Sequence, residues 1–212
     1  MEKEIETAIA LVEAGKVSEG LSRLETAETR VDDDDKFRIA ELYYKWGHVK
    51  KAKSIAEELL NRYPGESELI FFLAEIMIDT DEEEQAIDIL SDIDSEDADY
   101  VRALLLLADI YSTQGLDEVA EQKLLEAKRL SPDEPVITFA LAEFYFSLGN
   151  YKQSISYYEQ VLHEGGIPEE NVNLRLAEAL SGSGEFEDAL KFYQKAVGDM
   201  SDPESLFTLG IT

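Results

Sequence analysis

Carboxylates are the reactive groups this chain holds in excess. Its 212 residues carry 47 Asp and Glu against 19 Lys and Arg, a formal charge of −28 at pH 7. Such a field draws in cations and repels phosphate backbones, which disfavours nucleic-acid binding. Covalent chemistry has little to work with. There is no Cys, hence no disulfide, thiolate ligand or thiol nucleophile, which fits a reducing compartment. His48 falls just after a turn and His163 at the end of a helical pattern, where an imidazolium would meet the negative end of the helix dipole. Neither has a second His nearby. The run Asp32 to Asp35 precedes a helix and reads as capping, with cation binding as the alternative. Asp79-Thr80-Asp81-Glu82-Glu83 begins like a calcium loop, but Glu84 stands where Gly is required and Leu90 where the bidentate Glu is required. Gly182-Ser183-Gly184 lacks the Lys-Ser/Thr ending and preceding strand of a phosphate loop. No catalytic residue, metal or cofactor is expected, and the chain does not read as an enzyme.

The elements that carry these residues repeat. Gly15, Gly47, Gly115, Gly149 and Gly184, with Asp81 in the equivalent place, each close one apolar helical pattern and open another, at separations of 32 to 35 residues. Small residues precede each turn at Ala8, Ala40, Ala74, Ala108, Ala142 and Ala177, and follow it at Gly20, Ala52, Ala86, Ala120, Ser154 and Ala189. Two small positions per unit let two helices approach closely. The apolar spacing is helical on both sides of the turn, as in Leu104, Leu107, Ala108 and Tyr111, then Ala120, Leu124 and Ala127. Each unit is therefore predicted to be a helical hairpin. Pro64, Pro132 and the Gly165-Gly166/Pro168 group stop second helices, and Pro135 and Pro203 suit the first turn of the next helix. Trp46 and the Tyr151, Tyr157 and Tyr158 cluster fall at packing positions.

In the frame Val101 to Glu134, the residues Leu104, Leu107, Ala108, Tyr111, Ala120, Leu124, Ala127 and Pro132 resemble a tetratricopeptide repeat. The resemblance implies an all-α fold, an α-α superhelix (solenoid) of helical hairpins. It divides one domain, 1–212, into repeats at 1–32, 33–66, 67–100, 101–134, 135–169 and 170–202, with 203–212 beginning a seventh. The departures are Gly20 for Ala, Asp81 for the turn Gly, and Leu59 and Ile93 where Ala is usual. The chain is also similar to acidic cytoplasmic repeat proteins of low-GC Gram-positive bacteria. Leu206, Leu209 and Gly210 start a helix with no second helix to cover it, so a longer parent protein, or an end covered by another copy, is expected.

The same resemblance implies that first helices line a concave groove, with repeat positions 2, 5, 9, 12 and 13 facing inward. Position 5 holds Phe37, Phe71, Leu105, Phe139 and Leu174, and position 12 adds Tyr44, Ile78 and Phe146. Position 9 holds Glu41, Glu75, Asp109, Glu143 and Glu178, one helical turn from those apolar side chains. Carboxylates on helices roughly 10 Å apart repel by only about 0.4 kcal/mol in water, so the fold tolerates the column. Its field favours a partner segment that is both apolar and basic. A solvated face is the plain alternative: Arg38 lies three before Glu41, Arg175 three before Glu178, and Arg102 has the reach for Glu75.

The expected function is a non-catalytic protein–protein interaction scaffold, with a self-assembling array through the C-terminal end as the rival. Nucleic acid and membrane are not expected partners. The longest apolar runs, such as Ala103 to Ala108, fall short of the roughly 20 residues that span a bilayer, and the acidic N-terminus lacks the pattern of a signal peptide. A cytoplasmic location follows. The family's clamp for acidic chaperone tails wants Lys where this chain has Ile5, Phe37, Phe71 and Leu105, and Asn where it mostly has Glu or Asp. An acidic peptide ending in a free carboxylate is accordingly expected to show no micromolar binding by calorimetry.

Overall fold

A computed structural model describes residues 2–197. Among the described residues there are twelve helices and no strand: α1 (Glu2–Glu13), α2 (Val17–Glu28), α3 (Asp33–Lys45), α4 (Val49–Arg62), α5 (Ser67–Asp79), α6 (Glu83–Ser91), α7 (Tyr100–Thr113), α8 (Asp117–Leu130), α9 (Pro135–Ser147), α10 (Tyr151–Glu164), α11 (Glu169–Ser183) and α12 (Phe186–Val197). The fold class is the expected all-α solenoid of helical hairpins. Contacts divide the chain into two compact units, Met1–Ala103 and Leu104–Thr212, with the boundary inside α7. The expected partial repeat 203–212, with Pro203, Leu206, Leu209 and Gly210, lies outside the described residues.

Each hairpin is closed by one residue in the left-handed region. Gly15, Gly47, Gly115, Gly149 and Gly184 have φ between 69° and 88°, and Asp81 at 59° is the only non-glycine residue with positive φ among the described residues. That conformation lets the next N–H reach the carbonyl five positions back, at 2.7–2.9 Å, from Lys16 to Leu11, His48 to Tyr43, Glu82 to Met77, Leu116 to Tyr111, Asn150 to Tyr145 and Glu185 to Leu180. The donor residue is also the N-cap of the following helix, as Lys16 is for α2 and His48 for α4, so the second helix starts at once.

The small positions do what their spacing requires. In the first unit Ala8, Ala40, Ala74, Ala52 and Ala86 are fully buried, and in the second Ala142, Ala177, Ala120 and Ser154 are fully buried, with Ala108 and Ala189 nearly so. At Gly20 a Cβ would stand 2.6 Å from a Val12 methyl and 2.8 Å from the Ala8 carbonyl oxygen, so α1 and α2 are too close for the usual Ala. Large side chains fill the spaces left: Ile39, Leu73 and Tyr43 in the first unit, Leu141, Leu176 and Tyr145 in the second, all buried. Each full burial of such a side chain contributes about 1.5–3 kcal/mol. The Tyr cluster packs as expected, with Tyr158 fully buried, Tyr157 stacked on Tyr145 at 5.6 Å, and Tyr151 edge-on to Phe146 at 5.7 Å.

Helix ends follow local chemistry. Asp32 caps α3, its carboxylate accepting from the Asp35 N–H at 3.0 Å. Asp33 takes Arg62 and the Tyr63 hydroxyl, and Asp35 takes Arg38. Three of the four acids of the run are thus engaged within the fold. Second helix α6 is short because the Asp- and Ser-rich stretch after it prefers turns, in which Asp94 and Asp97 accept from the Glu96 and Asp99 N–H groups at 2.9 and 2.8 Å. No helix of the described residues is long and apolar enough to cross a membrane. Replacing Asp81 by Gly removes the Cβ clash of the left-handed turn, partly offset by the freer unfolded chain, and is expected to raise unfolding free energy by about 0.5 kcal/mol in urea titrations.

Candidate functional site

In the first unit, α3 and α5 carry the expected groove residues. Phe37 and Tyr44 are half-buried and both set their ring edges against Phe72, at 5.4 and 5.7 Å. The Tyr44 hydroxyl donates to Asp79, and burial, followed by that contact and the nearby Glu75, pushes its ionisation up. Ile78 is half-buried on the same face. Phe71, expected on the open wall, is only 4% exposed, because the Arg102 guanidinium lies over its ring at 4.0 Å. Arg102 therefore does not serve Glu75. Arg38 likewise turns from Glu41 to Asp35 at 3.2 Å and Glu6 at 3.6 Å. Glu41 and Glu75 remain exposed, with no hydrogen bond or ion pair among the described residues. Partial burial first, and then Glu68, raises the Glu41 carboxyl above the ordinary range, against the pull of Arg38. At the N-terminal ends of these helices a cleft of about 520 Å³ has Phe37, Leu59 and Leu69 for walls, and Asp34, Glu66 and Glu68 at its rim.

In the second unit the column is arranged differently. Arg175 on α11 donates to Glu143 through Nε at 2.7 Å and again through Nη2, and to Glu178 through Nη1 at 2.6 Å. The Tyr158 hydroxyl donates to Glu143 as well, and burial, then this carboxylate, pushes that hydroxyl's ionisation far up. The Arg175 guanidinium also covers the face of Phe146 at 4.7 Å. Two of the five expected carboxylates are thus drawn together under one cation. Asp109 on α7 is exposed and makes no hydrogen bond or ion pair among the described residues. Leu105, Phe139 and Leu174 are half-buried, Phe139 edge-on to Tyr158 at 5.8 Å. Leu105, Asp109, Glu143, Phe146 and Arg175 all line one cleft of about 300 Å³.

Local spacing points Arg175 at Glu178 alone, because its other partner, Glu143, is 32 residues away in the chain. The signal was in the repeat register. Arg38 and Arg175 hold the same repeat position, but the preceding repeat offers Ile9 to Arg38 where it offers Glu143 to Arg175. Among the described residues no cluster of His, Cys, Asp and Glu is placed to hold a metal ion.

Two families match the chain by sequence: one described as tetratricopeptide repeat protein 21 ARM repeat over residues 2–123, and YpiA-like, tetratricopeptide repeats over residues 112–166. A Bacillus subtilis (strain 168) protein, TPR repeat-containing protein YpiA, is 49% identical over 212 residues, covering 98% of this chain and 49% of that protein. The chain therefore spans about half the length of that relative. Among solved structures, PilW, a type IV pilus biogenesis factor, superposes with a TM-score of 0.73 at 14% identity, covering 98% of this chain and 97% of that one. MamA superposes with a TM-score of 0.61 at 21% identity, covering 75% of this chain and 92% of that one. At such identities the likeness to both is one of fold.

The Glu41 carboxyl supplies a checkable consequence. Its raised folded-state value means that the folded protein binds this proton more tightly than the unfolded chain does. Stability from this group is therefore present below the unfolded value and is lost as pH rises through the folded one. Glu41→Gln is expected to raise the unfolding free energy from urea titration at pH 7 by about 0.3 kcal/mol for a solvent-screened carboxylate, and to leave it unchanged near pH 4.

Proposed function

Since the chain belongs to the tetratricopeptide repeat family, we propose that it is a non-catalytic scaffold whose first-helix groove holds an extended partner segment rich in apolar and basic residues. The carrying observation is the set of carboxylates that stay unneutralised beside apolar side chains: Glu41 and Glu75 next to Phe37 and Ile78 in the first unit, Asp109 next to Leu105 in the second. Apolar contacts supply most of the binding free energy in such a site, and charge supplies encounter rate and selectivity. A desolvated cation pairing with one of these acids adds about 1.5–3 kcal/mol. The general association of this family with protein binding supports the reading.

Selection from a random display library of peptides about twelve residues long tests it. The wild-type chain is expected to enrich Lys and Arg together with Leu and Phe. The selected peptides should bind several-fold more weakly when salt rises from about 50 to about 200 mM. The double variant Glu75→Lys/Asp109→Lys should lose them. Enrichment of acidic peptides, or equal binding by the double variant, would overturn the proposal.

A further inference from the structure

We infer that, in the second unit, recognition of a partner's basic residue rests on Asp109, whose cleft takes the long aliphatic stem and terminal cation of a Lys or Arg side chain. The inference rests on the groove reading above and narrows it to one acid. Of the three carboxylates at this repeat position in the unit, Glu143 and Glu178 already share the Arg175 guanidinium, at 2.7 and 2.6 Å, and Glu143 also accepts from Tyr158. An incoming cation would have to displace bonds made by a partly buried guanidinium that is itself stacked on Phe146 at 4.7 Å. Asp109 has no such competitor among the described residues.

The space beside it has the right shape and polarity for one kind of occupant. The cleft of about 300 Å³ has Leu105, Ala108, Leu124 and Phe144 in its walls, with Asp109 and Ser112 on the α7 side, and its lining also includes Arg175, whose charge is met by Glu143 and Glu178. The methylene stem of a Lys or Arg side chain fits against such walls while its charge meets the acid. A wholly apolar side chain would strip water from Asp109 and return nothing to it, and an acidic one would be repelled. The Phe146 ring face, the other cation-binding feature of this unit's cleft, is already covered by Arg175.

The test uses the full chain and a minimal probe, pentylammonium, with 1-pentanol as its uncharged counterpart, read by methyl and amide NMR shifts. Pentylammonium should shift the Leu105 and Leu124 methyls and the Asp109 amide saturably, with a dissociation constant on the order of 10 mM, and pentanol should bind about tenfold more weakly. Asp109→Asn should weaken pentylammonium about tenfold. Glu118→Gln, which removes the same charge from an exposed site on α8, should not change it. Equal shifts by pentanol, no saturable shift at all, or an equal loss in Glu118→Gln would each overturn the assignment. Display peptides that bind the wild type while pentylammonium leaves Leu105 unmoved would place the failure in this cleft. No selection of peptides by the wild type would overturn the groove reading on which it rests.

Discussion

Close approach of two helices across a tight turn is the constraint on which the rest of the molecule depends. One left-handed residue lets an N–H reach back five positions, and the second helix then starts without a linker. Alanines at the two contact positions bring the helices together, and large side chains fill what remains. Between α1 and α2 the approach is so close that even Ala is too large, and Gly20 stands there instead. Asp81 marks the opposite case. It is a side chain carried in a conformation that suits Gly, and the fold holds it there because the surrounding hairpin is determined by everything else.

Within each unit the hairpins position one face of each first helix in register, and that register decides the electrostatics. Because equivalent residues recur on neighbouring first helices, a single cation at one repeat position can reach an acid on the preceding repeat. Arg175 does so and holds Glu143 and Glu178 together, while Arg38, in the same position but with Ile9 where Glu143 would stand, reaches Glu6 of the preceding repeat and Asp35 of its own. The column of five acids is therefore not one uniform surface. Glu41, Glu75 and Asp109 face solvent without partners among the described residues, and the other two are spent internally.

The apolar column is equally uneven. Phe37, Leu105, Phe139 and Leu174 keep part of their surface open, while Phe71 is sealed beneath Arg102. Both guanidiniums that cover aromatic rings come from a later helix than the ring they cover. They behave as small lids on the first-helix face, and Arg175 also pairs with two acids of the column.

The helices, their turns and their buried small residues were legible in the chain, because each depends on spacing within about 34 residues and on the conformational limits of Gly, Ala and Pro. Capping by Asp32 was legible for the same reason, since it acts over three residues. What tertiary structure decided was the pairing of long, flexible side chains. Arg38, Arg102 and Arg175 each have several acids or rings within reach, and nothing local distinguishes them. The choice is made by which side chain the neighbouring helix brings alongside, and that is known only once the helices are packed. The same cause divides the acids, identical in the periodic pattern, into those already satisfied by the fold and those left facing outward.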